Sequence, residues 1–410
     1  MRSDQVKSRI SVLQCFRPKP EFGEFLEWAL NQRERDALLR WLDESGLALY
    51  LQRQLSDHGV LENFEPGWRL ALQQRVDANR RRTSIMLEEF DRINGALQAK
   101  SIPYVVIKGF TLAKEFCPEP WLRHQADLDV LVEPNSLQLA KEAFVSLGYE
   151  VESESELGVG LGIRSEHAPS KDDCLYGAPL YWDAEIHSSF YEDNCGVSLS
   201  IGEDWRDHIV MREIGVTECP CLDLPHRFVG QVLHAFRHTG SWMRIAWLYE
   251  ISYFAHLFRN DLTVWEQIDL LTGTDRKTQN ACGVVACLAI NAFGAEFPEI
   301  VHKNWIEPLP VRQRKWIEQY SLRWMLNDFG RSDKTGLILQ REFADSSLTW
   351  WGYRVTRATK LLRMLALREI QPNFLVERIR RQIAYLFHSM AWNIKGMFHQ
   401  SEAREARRRY

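Results

Sequence analysis

Two aspartates one residue apart, Asp127 and Asp129, stand in "ADLDVLV", a run whose other residues read as buried strand. Ionised carboxylates are costly to desolvate, and at this spacing they repel each other. A chain keeps such a pair only where the strand end opens to solvent or meets positive charge. Side chains alternate along a strand, so Leu128, Val130 and Val132 face one way while Asp127, Asp129 and Leu131 face the other. Two residues of strand rise place the carboxylates about 7 Å apart, within reach of one magnesium ion or a pair of them. The same spacing also occurs on solvated edge strands, so the pair alone leaves both readings open.

The surrounding periodicity sets the pair in a mixed α+β chain. Residues 1–97 carry apolar positions at three- and four-residue steps and read as an N-terminal helical region. The period then changes over residues 98–203. "IPYVVIKG" reads as a short buried strand, "FTLAKEF" as the start of a helix, "SLQLAKEAFVSLG" as a helix ending at Gly148, and "YEVES" as a third strand. Strands around "GIRSEHAPS" and "LYWDAEIHSSF" are expected to be joined by a turn at "KDDCLYG", with "GVGLG" at 158–162 forming a loop near the cleft. From about Asp204 the pattern reads as helix again, a bundle over 204–335, with "CPC" at 219–221 as a turn. Residues 336–410 read as basic amphipathic helices. Alternation of strand and helix in the middle segment implies one mixed sheet flanked by helical regions.

Composition narrows the class. Charged residues make up 26 % and hydrophobic ones 45 %, and no run of apolar residues is long enough to span a bilayer, so no transmembrane helix is expected. The N-terminus "MRSDQVKSRISVLQCFRPKPEF" lacks the apolar core of a secretory signal, which implies a cytoplasmic protein. The eight cysteines have no paired CxxC spacing, so free thiols are expected rather than a disulfide framework or a zinc ribbon. The net charge of −4 is uneven: Trp351 to Tyr410 holds 13 Lys and Arg against 4 Asp and Glu. A stripe from Val376 to Ile394 there suits either packing on the body or an interfacial helix on an acidic partner or membrane surface.

Three neighbours give the aspartate pair a chemical context. Lys108 and Gly109 in "VVIKGF" fall where a strand gives way to a helix, a place where a phosphate can approach the backbone. Arg123, four residues before Asp127, could grip phosphate oxygens bidentately. "YWDAEIHSSF" sets Asp183, Glu185 and His187 on one strand face, so a third carboxylate could join the pair. His187 suits a core or supporting position. His234 and His238 share a helical face at zinc-ligand spacing, but Ala235 stands where a metallohydrolase needs Glu, which points to packing or cleft lining.

Together, "IKGFTLAKEF", "RHQADLDVLV", "SLGYEV" and "AEIHSSF" resemble the uncharacterised nucleotidyltransferase family of the DNA polymerase beta-like superfamily, over roughly residues 98–260. The resemblance implies metal-binding and catalytic acids at Asp127, Asp129 and Glu185, and nucleotide contacts at Lys108, Gly109 and Arg123. It implies two magnesium ions, or manganese, and a nucleoside triphosphate, ATP foremost, giving up its nucleoside monophosphate to a hydroxyl on a small molecule, sugar or protein. Better-known superfamily members carry Gly-Ser or Gly-Gly at the turn, closer to the acids. Two other readings stand beside it: a non-catalytic member that binds nucleotide or a partner, and a DxD glycosyltransferase, which would need strands before "IPYVVIKG".

Overall fold

A computed structural model describes residues 3–23, 31–155, 158–164, 175–177, 181–189, 204–240, 243–273, 275–327, 335–344, 346, 348–352 and 355. The basic stripe expected from Val376 to Ile394 lies outside these residues, as do Cys174 and Cys195. The six described cysteines are free thiols. Among the described residues no helix is long and apolar enough to cross a membrane.

The architecture is mixed α+β. Among the described residues, helices α1 (Ser3–Gln14), α2 (Gln32–Ser45), α3 (Ala48–Asp57) and α4 (Pro66–Ala99) come first. Asn31 and Glu34 form a reciprocal capping box at the start of α2, and Gly46 ends that helix at φ 76°. No strand precedes Tyr104 among the described residues. The sheet is built from β1 (Tyr104–Ile107), β2 (Asp127–Val132), β3 (Glu150–Ser155), β4 (Gly158–Arg164), β5 (Tyr181–His187), β6 (Ile209–Ile214) and β7 (Thr217–Leu222), with α5 (Leu137–Ser146) between β2 and β3. Their order is β3-β4-β5-β2-β1-β7-β6. Strand β2 runs antiparallel to β1 and parallel to β5, and β1 runs parallel to β7. A helical bundle follows, led by α6 (Leu224–His238), α7 (Ile245–Leu257), α8 (Leu262–Gly273) and α9 (Arg276–Phe293), then α10 (Val311–Leu326) and α11 (Gly336–Arg341).

Two cores share one strut. On the sheet, Leu128, Val130 and Val132 pack with Trp182, Ala184 and Ile186 against Phe90, Ile93 and Leu97 of α4 and Phe144 of α5. The other half of the 34-residue α4 sends Trp68, Leu72 and Val76 into the bundle core, among Phe228, Phe254, Trp265 and Trp305. Helix α4 therefore fixes the sheet relative to the bundle. A buried ion pair adds a second tie: Arg123, just before β2, donates to Glu250 of α7 at 3.1 Å, and Glu250 also accepts from Tyr50 at 3.0 Å and Gln231 at 2.7 Å. Burial raises the pKa of Glu250, while Arg123 and Tyr50 pull it back. In α9, Gly283 lies where a Cβ would stand 2.3 Å from the Trp305 carbonyl oxygen, so only glycine lets that helix seat against residues 302–306.

Four local expectations fail for physical reasons. "FTLAKEF" forms only a 3-10 turn, Gly109–Leu112, because Phe110 belongs to the sheet core and Phe116 to the bundle core. A continuous helix could not serve both. "GVGLG" is strand β4 rather than a loop: its alternating glycines pair opposite Asp183, Glu185 and His187 of β5. "CPC" is strand β7 rather than a turn, and 209–222 is a hairpin rather than helix, closed by Gly215 at φ 64°. Pro220 disguises that strand because proline cannot donate to a ladder; β7 pairs with β1 through Cys221, opposite Val106. Strands β4 and β5 pair antiparallel, the first beginning at Gly158, while residues 165–174, with most of the expected turn at "KDDCLYG", lie outside the described residues.

Glu250→Ala would leave the Arg123 guanidinium buried without its carboxylate. The expected cost is about 3 to 5 kcal/mol of unfolding free energy, measurable by urea titration.

Candidate active site

The register between β2 and β5 assembles the acids. Asp127 lies opposite Asp183 and Asp129 opposite Glu185, on adjacent parallel strands. Trp182, Ala184 and Ile186 fill the sheet core, so Asp183, Glu185 and His187 face the same side as Asp127 and Asp129. That side of the sheet carries a small apolar patch, Val105, Ile107, Leu131 and Leu222, with Trp205 against it. The four carboxylates thus gather at one end of one face.

Asp129 is the buried member, 4 % exposed. Its Oδ1 accepts from Lys108 Nζ at 2.8 Å and contacts His187 Nε2 at 2.8 Å. Burial would raise its pKa, but the Lys108 charge and the His187 contact outweigh burial and hold it well below the usual carboxylate range. Asp127, half-buried, goes the other way: burial and the charge on Asp129 push it up to about 6, against the pull of Lys108. Lys108 itself is drawn down by burial and more than restored by Asp129 and Asp127, so it stays charged. Glu185 stands 3.3 Å from His187 Nε2, and Asp129, Glu185 and His187 offer donor atoms that all lie within 4.8 Å of one another. A donor set dominated by carboxylate oxygens suits magnesium or manganese.

Lys108 reaches Asp129 from an uncommon backbone. Its φ of 57° and ψ of −154° lie in a region almost confined to glycine, and such conformations persist only where the surroundings fix them. Gly109 follows at φ 47°, and a Cβ there would stand 2.3 Å from Gln125 Nε2. Gln125 donates in turn to the Asp127 carbonyl at 2.9 Å. The residues ahead of β2 are held by α4: Asn79 donates to the Trp121 carbonyl at 2.7 Å, and Arg82 to the carbonyls of Gln125 at 3.1 Å and Gly177 at 2.8 Å. Arg244 holds the His124 carbonyl at 2.7 Å.

Of the residues singled out in the sequence, Lys108, Gly109, Asp127, Asp129, Glu185 and His187 come together. Arg123 forms the ion pair with Glu250, its side chain 12 % exposed, and its charge is also felt by Asp127. His234 and His238 pack against each other and against Trp247 in tilted, edge-on contacts, at ring separations of 4.4 to 5.1 Å. Burial, and then the charge of Lys108, push the His234 pKa well down, so its ring is neutral. Gln125 and Arg82 were missed because a lone Gln in a loop and an Arg in a helix carry no motif. The bare glycine face of β4 had a signal, the strict alternation of "GVGLG", but a side-chain-free strand reads as a loop.

A family model described as "Uncharacterised nucleotidyltransferase" matches residues 31–282, more than half of the chain. No curated protein matches the sequence. Among solved structures, an antigenic nucleotidyltransferase-like protein from Paracoccidioides brasiliensis is similar, with 11 % identity and a TM-score of 0.27, over 54 % of this chain and 94 % of that one.

Gly109→Ala should lower stability by about 1 to 3 kcal/mol, because alanine both resists the positive φ and displaces Gln125. In a thermal melt, adding Gln125→Ala should return part of the loss, since it removes the collision and leaves the backbone strain.

Proposed function

We propose, for a chain that belongs to the uncharacterised nucleotidyltransferase family, that it transfers a nucleoside monophosphate from a nucleoside triphosphate, ATP foremost, to a hydroxyl acceptor on a small molecule, sugar or protein. The observation that carries this reading is the β2–β5 register, which sets Glu185 directly beside Asp129 on the face shared with Asp127. Asp127, Asp129 and Glu185 would hold the divalent cations, magnesium by preference for oxygen donors. Bound there, such cations neutralise triphosphate charge and lower the pKa of an acceptor hydroxyl.

The chain's own residues supply the rest. Lys108 Nζ, already charged at the edge of the acid cluster, can exchange Asp129 for a phosphate oxygen when a triphosphate arrives. His187 keeps Asp129 Oδ1 oriented from beneath. Glu185, with its side chain 46 % exposed, is accessible to take the acceptor's proton. Arg123 acts as a positioning residue, fixing the start of β2 against α7 through Glu250. The neutral His234, tilted against His238, feels the Lys108 charge and would help line the side where a nucleotide or acceptor lies. A cytoplasmic setting, rich in nucleotide and magnesium, suits this chemistry.

One observation supports a second reading. Asp129 Oδ1 already meets both Lys108 and His187, and a member that kept this pairing would bind nucleotide without turning it over. Incubation with each alpha-labelled triphosphate and magnesium separates the two. Transfer of label with pyrophosphate release, reduced at least about 100-fold in Asp127→Ala plus Asp129→Ala and in Glu185→Gln, is the expected result. Nucleotide binding without pyrophosphate in the parent would favour the non-catalytic reading.

Lys108→Met should weaken triphosphate binding and slow transfer while relieving the competition for Asp129. Isothermal titration with a non-hydrolysable triphosphate should therefore show weaker nucleotide affinity, and titration with manganese alone should show affinity equal to or above the parent's.

A further inference from the structure

A second group of converging donors lies outside the carboxylate cluster and has no part in the function proposed above. Asp223 follows β7 directly and caps α6, its Oδ1 accepting from the His226 backbone N–H at 3.0 Å. Two imidazoles meet the same carboxylate: His226 Nδ1 stands 2.8 Å from Oδ1, and His208 Nδ1 stands 2.9 Å from Oδ2. The rings lie 4.1 Å apart, and His208, Asp223 and His226 offer donor atoms that all fall within 4.8 Å of one another. The cap needs only the carboxylate. Neither histidine is required for it.

His226 adds an independent observation. It is 2 % exposed, and its Nε2 is buried with no hydrogen-bond partner. An imidazole held this deep with one nitrogen unsatisfied carries a desolvation cost that the cap does not return. A metal shared with Asp223 would take Nδ1, the nitrogen that faces the carboxylate, and leave Nε2 carrying the ring's proton.

We propose that His208, Asp223 and His226 form a zinc site. Two imidazoles and one carboxylate match zinc rather than magnesium, which prefers oxygen donors and keeps its waters. Three protein ligands leave a coordination position for water or another ligand. The topology also gives the site a place in the molecule. Val106 and Cys221 pair on parallel strands, so Lys108 and Asp223, two residues beyond each, leave the sheet at the same edge. Trp205, three residues before His208, covers Val105, Ile107, Leu131 and Leu222 on the face that carries the acids. A zinc ion would clamp the Trp205–His208 turn to the start of α6, where the His208 carbonyl already accepts from the Asp223 backbone N–H at 2.9 Å.

The test is cobalt titration of the full chain, prepared without a histidine tag and stripped with chelator, in excess magnesium so that the oxygen-rich site is occupied. One equivalent of cobalt should give intense visible d–d absorption of low-coordinate cobalt, displaced by zinc. His208→Ala should abolish the absorption while its melting temperature in chelator stays near the parent's. Asp223→Asn keeps a side chain able to cap α6 but loses the charge, and should bind at least about tenfold more weakly. Absorption no stronger than that of free aqueous cobalt in the folded parent, or bands unchanged in both variants, would overturn the proposal. Either result is independent of whether label is transferred from a nucleotide.

Discussion

The buried charge of Asp129 is the constraint around which the site is arranged. A carboxylate 4 % exposed on a sheet face stays ionised only with close positive or donor partners, and here Lys108 and His187 share its Oδ1. Each partner places a demand on the chain. Lys108 must leave β1 through a backbone conformation that glycine ordinarily fills, and Gly109 must follow at positive φ with Gln125 pressed against it. His187 must lie at the right register on a parallel neighbour, which fixes Glu185 opposite Asp129 and Asp183 opposite Asp127. The charge thus links three segments that are distant in sequence, and the strain at Lys108 is compensated by the ion pair it makes possible.

The rest of the molecule holds that arrangement still. Helix α4 reaches from the bundle core to the sheet core and, midway, fastens the residues ahead of β2 through Asn79 and Arg82. Arg123 and Glu250 repeat the tie from the other side. A further cluster fastens the opposite flank: Glu115 binds both Arg212 of β6 and Arg227 of α6, and these arginines outweigh burial to lower its pKa. A depressed carboxylate stabilises the fold above its unfolded value and loses that contribution as pH falls through the folded one. The helical regions are therefore a frame for the loop that delivers Asp127, which explains why so long a chain surrounds one sheet.

Donor chemistry divides the end of the sheet in two. At β2 and β5 the donors are carboxylate oxygens, with one imidazole hydrogen-bonded to them; at the end of β7 they are two imidazoles around one carboxylate. On the proposals above, hard cations and a triphosphate would belong with the first set, and a borderline metal such as zinc with the second. The parallel pairing of β1 with β7 brings Lys108, which meets Asp129 of the first set, and Asp223 of the second to one end of the sheet.

The family resemblance implied that Lys108, Gly109, Asp127, Asp129 and Glu185 share one site; the sequence by itself determined the mixed α+β class, the strand with its two aspartates, and the face each side chain takes. These follow from period and from alternation, which are local properties. Tertiary structure decided the rest. Arg123 looks like a phosphate ligand from its spacing, yet its partner Glu250 is 127 residues away and invisible to any local pattern. "FTLAKEF" has helical propensity, but two cores claim its two phenylalanines. "GVGLG" and "CPC" lack the composition of strands, and only pairing with β5 and β6 gives their backbones a place in the sheet. Local sequence fixes which groups a segment offers; long-range packing and the need to satisfy buried charge fix which of those groups meet.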